Sequence, residues 1–269
     1  MGDVTTTARG FTTIEVDDGG GGPIGRLELN RPDKLNPLGT ETLLELERAA
    51  RWFDERDGVK VVIVSGRGRS FSAGADIASF GGSEANAGHP PRDAADAGRR
   101  MAEAVEAMRA VTVAAIKGHC VGGGLVLAAA CDLRVAADDT YFSIPEVDLG
   151  IPLAWGGIPR LVREIGPAMT RELVMTCRPF DAAEARSLGF LNRVVPASEM
   201  MGEAEALAAS LAPKATLALT ATKRHVNAVL ESMCGTARNW SDADGLVTAL
   251  RDPESREAAA AYLRRVRGG

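Results

Sequence analysis

The chain has 269 residues, 45% hydrophobic and 25% charged, which suits one large domain or a domain with an appendage. A formal net charge of −5 with no basic block argues against nucleic-acid binding, though a local cationic pocket for an anionic ligand is compatible with it. The four cysteines have no CxxC or metal-ligand spacing, Cys120 and Cys131 in or beside apolar runs read as buried free thiols, and nothing resembles a leader peptide or a membrane span, so the expectation is a soluble cytoplasmic protein without a metal.

In chain order, "FTTIEV" (11–16) and "IGRLELN" (24–30) are strand-like runs joined by a glycine-rich link, a hairpin pattern. "RPDKLNPL" (31–38) follows as a loop. Apolar residues at 43, 44, 46, 50 and 53 predict a helix over 40–57 with Thr40 as N-cap. "VKVVIVSG" (59–66) has the β-branched density of a buried strand. "RGRSFSAGADI" is a loop, and the small, polar, proline-bearing stretch 81–98 reads as a mobile surface loop, lid or linker. A helix is expected over 99–111, a strand over 111–118, a helix through Cys131, and a strand in "DLRVAAD". This order predicts an α/β fold with repeated crossovers. From about residue 200 the composition turns to alanine-rich amphipathic helices, so the division expected is a core over 1–198 and a helical region over 199–269.

The stretch "CVGGGLVLAAACD" (120–132) raises the chemical question, because three glycines enter an apolar helix. The first amides of a helix lack intrahelical partners and carry the positive end of its dipole. Bare glycines let a ligand reach them, which suits a phosphate or a developing oxyanion; a turn built for close packing is the plainer alternative. "SFSAGADI" (70–77) offers a second small-residue turn after a strand, so one amide from each turn can meet at a single carbonyl oxygen.

"LNRPDKLNPL", "FSAGAD", "GHCVGGGLVLAAACDLRVA", "PEVDLGIP" and "ARSLGFLNRVV" fall in an order and spacing that resemble the enoyl-CoA hydratase/isomerase (crotonase) family. The resemblance covers nearly the whole chain. It implies a crotonase-like spiral of repeated ββα units with a C-terminal helical oligomerisation region. It also implies acyl-CoA thioester substrates and homotrimers that often pair into hexamers. The family's oxyanion hole maps onto the amides of Ala75 and Gly123, with Gly122 beside them. No cofactor is implied beyond the coenzyme A carried by the substrate.

Of the two glutamates that activate water in the hydratase branch, one position falls at Val126 and the other at Glu146. Val126 cannot exchange a proton, which shifts the expected reaction to Δ3,Δ2-enoyl-CoA isomerisation by the single base Glu146. Hydration is the alternative, and a non-catalytic acyl-CoA-binding protein is the reading from another class. The further carboxylates of the dienoyl-CoA isomerases fall at Val126 and Ala154, both apolar here. Asp148 is a reserve base, and His119 carries only a weak signal. Trp155 lines the acyl pocket or packs as a core residue.

At the coenzyme end, the resemblance assigns Arg31 and Lys34 to phosphate and the segment Leu35, Ala73, Asp76 and Ile77 to adenine and pantetheine. Tyr262 and Arg265 of the last helix match positions that contact the coenzyme, often from a neighbouring subunit. An ordinary amphipathic helix with a solvated basic end is the alternative there.

Overall fold

The computed structural model describes residues 10–76, 89–237 and 239–267. Strands β1 (Ile14–Asp17) and β2 (Ile24–Leu29) form the expected hairpin, antiparallel with Ile14 opposite Leu29. The chain continues through α1 (Thr40–Asp54), β3 (Val61–Gly66), α2 (Pro91–Ala107), β4 (Val111–Ile116), β5 (His119–Val121) and α3 (Gly123–Ala130). Next come β6 (Leu133–Ala137), β7 (Tyr141–Ser143), α4 (Gly157–Thr176), β8 (Phe180–Asp181), α5 (Ala182–Ser187) and β9 (Arg193–Val195). Four helices complete it: α6 (Met200–Leu211), α7 (Thr216–Cys234), α8 (Asp242–Ala249) and α9 (Pro253–Arg267).

The main sheet runs β1-β2-β3-β4-β6-β9 and is parallel from β2 onward; β5-β7-β8 form a second, smaller sheet. Units β4–β5–α3 and β6–β7–α4 each place one strand in either sheet and then return through a helix, which is the expected ββα spiral. Every residue of β3 and β4 is buried, because helices cover both faces of a parallel sheet. Alternate residues divide between the two faces. Val62 and Val64 join Phe53, Met101 and Leu125 in the larger core, while Val61 and Ile63 meet Met200, Ala204 and Ala208 of α6.

Two expectations are corrected. Residues 91–98, read as loop, are the first two turns of α2, whose buried residues begin with Asp96, Ala97 and Gly98, one polar and two too small to give a hydrophobic signal, before Met101, Ala102 and Val105. Of the rest of that expected loop, 81–88 lies outside the described residues and Pro90 is the N-cap of α2. Gly39, and not Thr40, is the N-cap of α1, and Thr40 is already helical.

The C-terminal helices have different attachments. α6 covers the main sheet, and α7 sends the buried Lys223 ammonium to Asp132 (2.8 Å) and to the Ala110 carbonyl (2.9 Å). α9 turns back over residues 146–150 of its own chain, where Arg265 pairs with Asp148 at 2.7 Å.

Candidate functional site

Three loops at one end of the sheet are fastened to one another by backbone and side-chain hydrogen bonds. Buried Asn36 sits in the left-handed region, accepts the Arg31 N–H (2.9 Å) and donates Nδ2 to the carbonyls of Arg67 and Ser70 (2.9 Å each). Ser72 Oγ donates to Asn36 O (2.8 Å) and accepts the Gly74 N–H (3.1 Å). The Leu38 N–H donates to Gly74 O (2.8 Å), and the Asp76 N–H donates to Leu38 O (3.1 Å). In a parallel bridge the residues flanking Ala75 make these bonds, so the Ala75 N–H turns to the opposite side. There Ser72 runs beside β5, through Ser72 N–H to His119 O (2.9 Å) and Val121 N–H to Ser72 O (3.1 Å).

The result is one cleft of about 290 Å³ lined by Ala75 and Gly123 together. Neither of their amides donates to an acceptor among the described residues. Gly123 is the first residue of α3, where the dipole adds partial positive charge.

Each of the three glycines faces a different neighbour. Gly122 has φ +48°, and its N–H donates to Ser143 O (2.9 Å), tying α3 to β7. A Cβ on Gly122 would collide with Glu146 Oε1, and one on Gly123 with the Trp155 indole. At Gly124 it would lie 2.7 Å from Ser72 Cβ. Gly122 therefore contributes space for the carboxyl group and no donor. All eight residues of α3 are buried, which explains the apolar run that follows the glycines.

Glu146 is the one ionisable side chain lining the cleft among the described residues. It is 8% exposed, and its Oε2 has no hydrogen-bond partner among the described residues. Desolvation by the surrounding apolar groups pushes its pKa up to about 7. Val126, Leu153, Ala154 and Trp155 share the lining with residues 151 and 152 and with Leu246 of α8. The apolar run 151–154 was visible in the sequence, but its place in the cleft was not, and Leu246 gave no local signal.

Other expected residues lie elsewhere. The Asp148 carboxylate pairs with Arg265 and does not line the cleft, so it is not placed as a reserve base. His119 is exposed, with Nδ1 3.1 Å from Ser70 Oγ and its ring beside Tyr141. Arg31 pairs with Asp76 (3.0 Å), and Lys34 is exposed on a short turn, Pro32–Lys34. Leu35 has φ +60°, and its carbonyl accepts the Ala73 N–H (2.8 Å). Ile77 lies outside the described residues. On α9, the Arg265 guanidinium stands 5.2 Å from the centre of the Tyr262 ring, against the chain's own 146–150 segment.

Among the described residues no group of three His, Cys, Asp or Glu side chains is placed to hold a metal ion, and no helix is long and apolar enough to cross a membrane. Two cleft-lining residues whose amides have no acceptor among the described residues, and one carboxyl group with a near-neutral pKa, are the groups that oxyanion stabilisation and proton transfer require.

Comparison with known proteins identifies the family. Residues 20–267 match the family model described as enoyl-CoA hydratase/isomerase. The chain is 35% identical over 239 residues to a crotonyl-CoA hydratase of Syntrophomonas wolfei, covering 88% of this chain and 90% of the relative. It is also 35% identical over 207 residues to a peroxisomal Δ(3,5)-Δ(2,4)-dienoyl-CoA isomerase of Arabidopsis thaliana, covering 73% of this chain and 74% of that one. A crystal structure of an enoyl-CoA hydratase from Mycobacterium avium subsp. paratuberculosis superposes with a TM-score of 0.84 at 25% identity, over 94% of this chain and all of the other.

Proposed function

The chain belongs to the enoyl-CoA hydratase/isomerase family, and we propose that it moves the double bond of a 3-enoyl-CoA to the 2-position with Glu146 as the sole base. The thioester oxygen accepts hydrogen bonds from the Ala75 and Gly123 amides. The Glu146 carboxylate takes a proton from C2, and the charge spreads into a dienolate held by those two donors. The same carboxyl group returns the proton at C4 as the C3–C4 double bond becomes C2–C3. No water enters the balance.

The observation that carries this reading is the lone carboxyl group. Glu146 shares its cleft with Val126, at the position where the hydratase pattern places a second carboxylate, and its Oε2 is unpartnered. A pKa near 7 suits a group that must take and return one proton at neutral pH. The hydratase names among the relatives favour water addition as a second reading.

A paired spectroscopic assay separates the two. Turnover of a 3-enoyl-CoA that vanishes in Glu146→Ala is the expected result. Water addition to a 2-enoyl-CoA at a comparable rate would replace isomerisation by the second reading. We propose further that Lys34, with the backbone at Leu35 and Ala73, receives the coenzyme. The exposed apolar residues Leu217, Val226, Val229 and Met233 of α7 support assembly into a homotrimer or hexamer.

A further inference from the structure

The wall of the cleft formed by Trp155 and Leu246 is held from several sides. Trp155 is 7% exposed with φ +60°, and its indole is pressed so closely between Gly98 of α2 and Gly123 of α3 that a Cβ on either would collide with it. The carbonyls of Trp155 and Gly156 accept Arg160 Nη1 at 3.3 and 3.1 Å. The Gly156 N–H donates to Asp242 Oδ2 at 2.8 Å, which ties this turn to α8. Arg92 ties the same helix to α2, through Nε to Asp244 Oδ1 (2.8 Å) and Nη2 to Trp240 O (3.0 Å). Leu246, 3% exposed, is carried into the wall by these bonds.

The space in front of the wall is small. With its mouth included it measures about 290 Å³, so the fully enclosed part is smaller still. The reacting thioester has to share that space with the acyl chain.

We infer that Trp155 and Leu246 form a fixed stop that limits the substrate to short acyl chains, on the order of four to six carbons. The inference rests on the proposal that an acyl-CoA occupies this cleft. A longer chain needs the indole to move, and Gly98 and Gly123 block it on the sides of α2 and α3 in a close-packed interior.

Calorimetric binding of saturated acyl-CoAs from butyryl to decanoyl tests it on the wild type, Trp155→Phe and Leu246→Ala, alongside turnover of the matching enoyl series. Wild-type affinity is expected to peak at four to six carbons and to fall at least tenfold, roughly, by ten carbons. Trp155→Phe removes the ring edge over Gly123, and it and Leu246→Ala should each move the peak by about two carbons toward longer chains. Equal wild-type affinity across the series overturns the stop, as do variants with the wild-type profile. Saturated chains have no double bond to move, so length discrimination without isomerisation upholds the stop and removes the isomerase reading. Equal binding with isomerisation of every length does the reverse.

Discussion

Helices α3 and α4 each open on a glycine with positive φ, Gly122 at +48° and Gly156 at +69°, followed by a second glycine. At α4 the protein fills the helix start itself. Asp242 accepts the Gly156 N–H, Ala154 O accepts the Gly157 N–H, and Pro159 has no N–H to offer. At α3 the Gly122 N–H is taken by Ser143 O, while Gly123, whose N–H has no acceptor among the described residues, lines the cleft with Glu146. The same local device thus serves as architecture in one place and as a candidate oxyanion donor in the other. What separates them is the carboxylate that comes to each: one accepts the amide, and the other keeps an oxygen unpartnered.

Changing that unpartnered carboxyl group tests the contrast most severely. Glu146→Gln should lower turnover by about 10²–10⁴-fold, the range for a lost general acid–base. In the wild type kcat/KM should rise with pH through about 7, because the base acts as the carboxylate. Stability should move the other way. The folded pKa is raised from 4.5 to about 7, so between those values the folded state holds a proton that the unfolded chain has lost. Stability therefore falls as pH rises through that window, by on the order of 3 kcal/mol, and levels off above it. Thermal melts at pH 8 should show the Gln variant as the more stable protein. Equal melts would mean that the buried charge has no cost, and the contrast with Asp242 would lose its electrostatic half.

Gly122→Ala is next in size. A Cβ there collides with Glu146 Oε1 and adds a side chain at positive φ. Displacing a reacting group by about 1 Å can cost on the order of 10²-fold, so kcat should drop by that order in single-turnover assays. The counterpart at α4, Asp242→Ala, leaves the Gly156 N–H without its carboxylate and loosens the turn that carries Trp155. A loss of about 1–3 kcal/mol in denaturant unfolding is expected, with a smaller effect on turnover than at Gly122. A larger loss of turnover at Asp242 than at Gly122 would make the α4 start part of the chemistry and erase the distinction.

How far the sequence disclosed this depends on the range of the interaction. β3 and β4 are legible because a strand buried on both faces needs a run of β-branched residues, and the glycine entrance of α3 is legible as a local motif. Glu146 is picked out by the resemblance to the family and not by its local surroundings, which it shares with Asp148. The start of α2 is hidden because Ala97 and Gly98 bury little area. Strands β5, β7 and β8 have two or three residues each, too few for a period. The wall formed by Trp155 and Leu246 depends on bonds from Asp242 and Arg92, which join elements distant in sequence. Arg31 shows a further limit. As a loop cation it suits a phosphate, and the fold adds a contact with Asp76 that the sequence did not disclose.

The smallest effect is expected at Asp148, two residues from Glu146. Its carboxylate is 41% exposed and turned to the Arg265 guanidinium on α9, itself 67% exposed. Two solvated charges at that separation are screened by salt and hold each other weakly. Asp148→Ala should leave kcat/KM within about twofold and shift the melting temperature only slightly, with the shift fading at high salt. The measurement bears on the chemistry as well as on the ion pair, because Asp148 is the carboxylate nearest in sequence to the proposed base. If its removal lowered turnover as much as Glu146→Gln, the cleft would work with two carboxylates. Water addition would then regain the second group that Val126 denies it.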